Sequence, residues 1–272
     1  MDVLFPAIML GGLGIIFGLM LAFAAKKFAV KIDDRVSRVR EHLSGANCGA
    51  CGYPGCDGYA AAVVAGKAPC DLCRPAGSGA AKEIGKIMGV EVPDSEPYKA
   101  YPRCNGSIGN TKETFDYDGI QTCAAANLFA GGFKSCRFAC LGLGDCVKAC
   151  QFDAIHIKDG IPTVDVDKCV GCGACAKACP KNVISVIPAE LPVVLSCRNA
   201  DLGKNVRDVC TRGCISCHKC ERTCEHGAIT FENNLPSFNM EKCVKCGKCA
   251  DACPTKCITK FPEYCVEEKN AQ

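Results

Sequence analysis

Three runs of cysteine, Cys169/Cys172/Cys175/Cys179, Cys214/Cys217/Cys220/Cys224 and Cys243/Cys246/Cys249/Cys253, share the spacing C-x2-C-x2-C-x3-C. Three thiols on one tight loop reach three irons of a four-iron cubane, and the fourth, on the helix that follows, begins a neighbouring site. Pro180 and Pro254 follow two of the runs, as in the bacterial two-cluster pattern. Zinc sites use two separated pairs instead. Disulfide scaffolds are short secreted domains, whereas this chain has 272 residues and an odd 27 cysteines, clumped too closely to pair within a run. The chain must therefore fold around metal held by thiolates in a reducing compartment.

The runs belong to an internal repeat. A shift of 74 residues lays Cys123, Cys136, Cys140, Cys146 and Cys150 on Cys197, Cys210, Cys214, Cys220 and Cys224. The same shift lays Cys169, Cys172, Cys175 and Cys179 on Cys243, Cys246, Cys249 and Cys253. Crossing the fourth ligands gives one cluster on Cys243, Cys246, Cys249 and Cys224, and its partner on Cys214, Cys217, Cys220 and Cys253. In the upstream copy, Cys169, Cys172, Cys175 and Cys150 form a full set. The set of Cys140, Cys146 and Cys179 lacks one member because position 143 is Leu. Cys136, four residues before Cys140, is the expected replacement; Cys123 or a three-iron cluster are the alternatives. Two hairpins are expected, turning at Asp159-Gly160 and at Asn233-Asn234.

A different unit precedes the repeat: Cys48-x2-Cys51-x4-Cys56-x16-Cys73, with Gly49, Gly52, Gly55 and Gly58 leaving the backbone free to wrap a cluster. Cys70 competes with Cys73 as its fourth ligand. These sets make five [4Fe-4S] clusters. Cys104, Cys123, Cys197 and Cys210 are left over and leave room for a sixth, whereas Cys257 and Cys265 suit space filling.

Residues 3–25 carry no charge, and Lys26, Lys27 and Lys31 follow them. A signal peptide has its basic residues first and a shorter apolar stretch, so the segment is expected to span the membrane once. The basic flank puts the amino terminus outside and the iron–sulfur domains in the cytoplasm. The net charge of +3 gives no nucleic-acid-binding excess. Phosphate-loop, dinucleotide and zinc-protease motifs are absent, so no substrate-transforming site is expected. Residues 128–260 carry 18 Lys and Arg against 13 Asp and Glu. That excess offsets cluster charge or forms a docking face for an acidic redox partner.

The anchor, the stretch NCGACGYPGCDGYA with Cys73 beyond it, the ferredoxin-type runs and ACLGLGDCVKACQFDAIHI together resemble the B subunit of Rnf complexes, in the form found in clostridia-like anaerobes. The resemblance covers essentially the whole chain and selects Cys73 over Cys70. Arg74-Pro-Ala-Gly departs from the family's Pro-Gly-Gly, and Gln151 and Glu225 stand where Pro is usual. The resemblance implies an α+β fold: an anchor (1–27), a juxtamembrane helix (28–44), a four-Cys domain (45–89), a linker or edge segment (90–127), two ferredoxin-like units (128–190 and 191–262) and a tail (263–272). It also implies a subunit of an ion-translocating ferredoxin:NAD oxidoreductase. Such a subunit takes electrons from soluble ferredoxin and passes them to other membrane and soluble subunits. A hydrogenase-type reductase subunit and a membrane protein that resets a redox sensor are the competing readings.

Overall fold

The computed structural model describes residues 4–27 and 33–260. Helix α1 (Leu4–Lys27) has 24 residues and no charge before Lys26, a length of about 36 Å at the helical rise. Its side chains from Met9 onward are almost all exposed. Over Met9–Lys27 the mean hydropathy is 1.9, and it is the one described helix long and apolar enough to cross a membrane. A helix apolar all round and packed on nothing needs a non-aqueous surrounding. The juxtamembrane helix expected over 28–44 is seen as α2 (Asp34–Glu41); residues 28–32, like Cys265, lie outside the described residues.

The first small domain packs α2 against α3 (Gly55–Val64) and α4 (Gly77–Met88) over Val39, Tyr59, Val63 and Ile84. Asp33 caps α2 by accepting from the Arg35 N–H, and Gly89 ends α4 in the left-handed conformation at φ 70°. The Tyr59 hydroxyl donates to the Pro69 carbonyl at 2.7 Å and accepts from the Leu72 N–H at 3.1 Å. Those two bonds hold the loop bearing Cys70 and Cys73 against α3.

The rest of the chain is two copies of one αβ unit. The first runs β1 (Tyr98–Pro102), α5 (Cys123–Leu128), α6 (Asp145–Lys148), β2 (Ile155–Lys158), β3 (Ile161–Val164), α7 (Ala174–Ala178) and β4 (Ile184–Pro188). The second runs β5 (Val193–Leu195), α8 (Gly203–Val209), α9 (Lys219–Thr223), β6 (Ile229–Glu232), β7 (Leu235–Phe238), α10 (Lys248–Asp251) and β8 (Ile258–Lys260). The hairpins β2–β3 and β6–β7 turn at the two dipeptides expected from the sequence. Asp159 and Gly160 sit at φ 49° and 72°, and Asn233 and Asn234 at 48° and 63°, the paired positive φ of a twist-compatible two-residue turn.

Each copy is closed by its first and last strands, β1 with β4 and β5 with β8, both antiparallel. The Pro-rich segment that reads as linker or edge therefore supplies a closing strand. Pro102 pairs with Ile184 and Leu195 with Ile258, and Ile184 and Ile258 are 74 residues apart. Directly beyond, the Arg103 N–H donates to the Val183 carbonyl at 2.6 Å and the Ser196 N–H to the Cys257 carbonyl at 2.7 Å. The residues that follow, Cys104 and Cys197, thus occupy equivalent positions. The two closing sheets meet where the Tyr101 hydroxyl bonds Ser196 Oγ at 2.6 Å and Thr259 Oγ1 at 2.5 Å.

Candidate metal centres

In each copy a hairpin and a closing sheet flank two loop-and-helix segments, and the cysteines line the gaps between them. Cys150, Cys169, Cys172 and Cys175 surround one cavity of about 330 Å³. Cys224, Cys243, Cys246 and Cys249 surround its equivalent in the second copy, about 420 Å³. Cys214, Cys217, Cys220 and Cys253 line a third of about 280 Å³. These are the crossed sets expected from spacing. They form because each short helix starts just after a residue with positive φ, Gly173, His218 or Gly247, which turns the Cys loop sharply back on itself.

The fourth cavity, about 320 Å³, corrects one expectation: Cys140, Cys146 and Cys179 are joined by Cys123 and not by Cys136. Leu143 stands where the second copy has Cys217 and packs against the buried cluster of Cys123, Ala126 and Leu141. Helix α5 begins at Cys123, and the Ala124 N–H donates to Asp145 Oδ2 at 2.9 Å, fastening the start of α5 beside the Cys146 helix. Cys136 lies instead with Cys104, Cys197 and Cys210 around a separate cavity. The usable signal was the pairing of a missing Cys at 143 with an unassigned Cys at 123.

In the first small domain Cys56 is buried, and Cys48, Cys51 and Cys73 are half-buried. Gly49, Gly52 and Gly55 have φ of 64°, 88° and 84°, so the loop between Cys48 and Cys56 turns at three places that a Cβ would strain. Asn47 Oδ1 accepts from the Cys56 N–H at 2.8 Å and caps this loop. Cys70 is buried in the domain core, while Cys73 lies 4.0 Å from Ser44 Oγ. The domain docks on the first copy through Arg74, next to Cys73. Its guanidinium donates to the Gly171 carbonyl at 3.4 Å and lies 4.5 Å over the Tyr98 ring. Cys48 is near enough to raise the Cys172 thiol, which burial already pushes up.

The donor sets fit four-iron clusters. Each cavity presents four thiols around a space, with Cys257 a fifth in the Cys214 cavity, and among the described residues no three Cys, His, Asp or Glu converge on a point that one metal ion could fill. Burial pushes the Cys146, Cys175 and Cys220 thiols up to about 12, so ligation must displace protons from these groups. Backbone N–H groups are aimed at the sulfurs: Ala100 to Cys169, Gly142 to Cys140 and Ala228 to Cys224, each at 3.4 Å. Around Cys214 and Cys253 the direction reverses. The Cys257 thiol, 3.5 Å from Cys253 Sγ, hydrogen-bonds both, which holds Cys214 down to about 7 and Cys253 to about 5.

Known proteins share these features. An Fe-S cluster family matches residues 43–75, a 4Fe-4S binding domain residues 162–185 and a 4Fe-4S dicluster domain residues 213–257. The chain is 43% identical over 263 residues to the B subunit of the Na(+)-translocating ferredoxin:NAD(+) oxidoreductase complex of Acetobacterium woodii, covering 96% of this chain and 79% of that one. The B subunit of the ion-translocating oxidoreductase complex of Methanosarcina acetivorans is 41% identical over 92% of this chain and 95% of its own. The corresponding B subunit of the proton-translocating ferredoxin:NAD(+) oxidoreductase complex of Clostridium ljungdahlii is 40% identical over 90% and 88%.

Proposed function

The chain belongs to the B subunits of Rnf-type ion-translocating oxidoreductase complexes, and from that membership we propose that it is the subunit through which electrons from reduced ferredoxin enter such a complex. It is an iron–sulfur electron-transfer subunit of an ion-translocating ferredoxin:NAD oxidoreductase, associated with the membrane. When bound, four-iron clusters supply one-electron storage at potentials that charge, hydrogen bonds and solvent exposure set. The chain's own residues hold those groups, aim N–H donors at their sulfurs and keep water from them.

Five sites carry this reading: Cys48/Cys51/Cys56/Cys73; Cys150/Cys169/Cys172/Cys175; Cys123/Cys140/Cys146/Cys179; Cys214/Cys217/Cys220/Cys253; and Cys224/Cys243/Cys246/Cys249. The observation that supports it most is their adjacency. Cys48 neighbours Cys172, and Cys146 neighbours Cys175, so the small domain and the first copy present one continuous series. The half-exposed Cys48 and Cys51 and the exposed Cys246 make their two sites the natural places for a donor and an acceptor to approach. The basic flank after α1 supports a cytoplasmic position for these domains, where soluble ferredoxin would meet them.

The test is NAD reduction by reduced ferredoxin in anaerobic membranes with the chain intact, deleted, or carrying Cys48→Ala. Loss on deletion, with restoration by the intact gene and not by Cys48→Ala, is the expected result. Full activity without the chain would overturn the role. Full activity with Cys48→Ala would take the first site off the route.

A further inference from the structure

Four cysteines absorbed by none of the matched domains meet at the seam between the two copies. Cys104 follows β1, Cys136 precedes the Cys140 loop, Cys197 follows β5 and Cys210 ends α8; together they line a cavity of about 330 Å³. Their exposures are 8%, 9%, 7% and 9%. Strand register makes Cys104 equivalent to Cys197, and the 74-residue shift makes Cys136 equivalent to Cys210. Each copy therefore contributes the same two cysteines to the cavity between them.

Every one of these sulfurs receives a donor. The Cys140 N–H points at Cys104 Sγ from 3.4 Å. The Cys214 N–H, its repeat equivalent, bonds Cys197 and lowers its thiol, although burial still pushes that thiol up to about 12. Asn199, itself 2% exposed, gives its backbone N–H to Cys197 Sγ and its side-chain N–H to Cys136 Sγ, both at 3.4 Å. Thr111 Oγ1 donates to Cys210 Sγ at 3.6 Å. Donors aimed at four sulfurs suit acceptor-only thiolates better than neutral thiols. Cationic groups stand beside them: Arg103 lines the cavity, and the buried Lys134 reaches the carbonyl of Gly106 on its wall at 3.3 Å. A net-negative cluster would be offset by such charges.

We propose that Cys104, Cys136, Cys197 and Cys210 hold a further [4Fe-4S] cluster at this seam. The site adjoins the Cys140 set through the Cys140 N–H and the Cys214 set through the Cys214 N–H, so it joins the two copies. One electron received from the Cys140 side leaves toward the Cys214 side with no bond made or broken. That relay role rests on the electron-entry reading above; the binding site itself does not.

The full chain, purified anaerobically with its clusters, is tested by iron and sulfide content. Six sites hold about 24 irons and five about 20. A count near 24 in the native chain is expected, falling by about four in Cys104→Ser/Cys197→Ser together with one reduced-state electron paramagnetic resonance signal. A native count near 20, or zinc in this position, overturns the site whatever the variant does. Asn199→Ala should keep all the iron and lower the midpoint potential of one cluster only, a result that mere core packing would not give. In membranes, the double variant should reduce NAD severalfold more slowly. Full iron with no ferredoxin-dependent activity in the parent would sink the electron-entry reading and leave the site standing.

Discussion

Cys257 stands where the first copy has Val183, and both are fully buried. The two copies therefore differ by one thiol placed against two ligand sulfurs, Cys214 and Cys253. A hydrogen bond to a cluster sulfur favours the more negative, reduced state and raises the potential. Cys257→Val, copying the first unit, should keep the full iron content and lower one midpoint. At a net hydrogen-bond worth of about 1 kcal/mol, the shift is roughly 40 mV for one electron, read by redox titration. The fourth ligand beside Leu143 gives a second prediction. Cys123→Ala should convert the Cys140/Cys146/Cys179 cluster to a three-iron form, visible as an oxidised-state resonance, whereas Cys136→Ala should leave that cluster intact. Spacing favoured Cys136 because it is near Cys140 in sequence. Distance along the chain carried no information about α5, which swings Cys123 in from 17 residues upstream of Cys140.

The secondary-structure elements divide by how local their causes are. The two hairpins were legible because Asp159-Gly160 and Asn233-Asn234 demand positive φ within two residues. The grouping of cysteines around three of the cavities was legible because loop spacing and helix pitch bring them together. Strand β1 was not, since YKAYP is short, ends in Pro and pairs with a strand 86 residues on. Nor could spacing show that Cys104 is the equivalent of Cys197. Nineteen residues beyond the repeat length separate them, and the 74-residue shift sets Cys123 against Cys197 instead. Close approach of elements gives a further test. A Cβ on Gly171 would lie 2.2 Å from the Tyr98 carbonyl oxygen, at φ 63°, so β1 can rest on the Cys169–Cys172 loop only if that residue is Gly. Gly171→Ala should cost about 1–2 kcal/mol from backbone conformation alone, and more from the clash. The thermal midpoint should fall by roughly 2–4 °C per kcal/mol, with loss of the Arg74 contact between domains.

Over the whole molecule, α1 and the cluster domains answer to separate solvents. Among the described residues, helix α1 shares no core with the rest, and the three largest buried clusters are built from residues 39–84, 100–184 and 193–258. Removing residues 1–27 should therefore give a water-soluble protein with unchanged iron content and an unchanged unfolding midpoint; sedimentation with vesicles and metal analysis would check it. The charge excess of the repeat region is partly explained at this scale. Lys134, one of those cations, is buried against carbonyls, and Arg103, just ahead of the counted region, is held half-buried near Cys197, its guanidinium shifted down by burial. Both suit charge compensation inside the fold.

The seam where β1 and β5 deliver Cys104 and Cys197 also bears on how the protein matures. Each copy brings two thiols there, so neither half has a complete set until the other has folded beside it. Iron delivered early finds finished pockets inside each copy but only half a pocket at the seam. The last cluster to load would then act as a proofreading step, closing only on a chain whose halves have already docked, and fastening them together once it does.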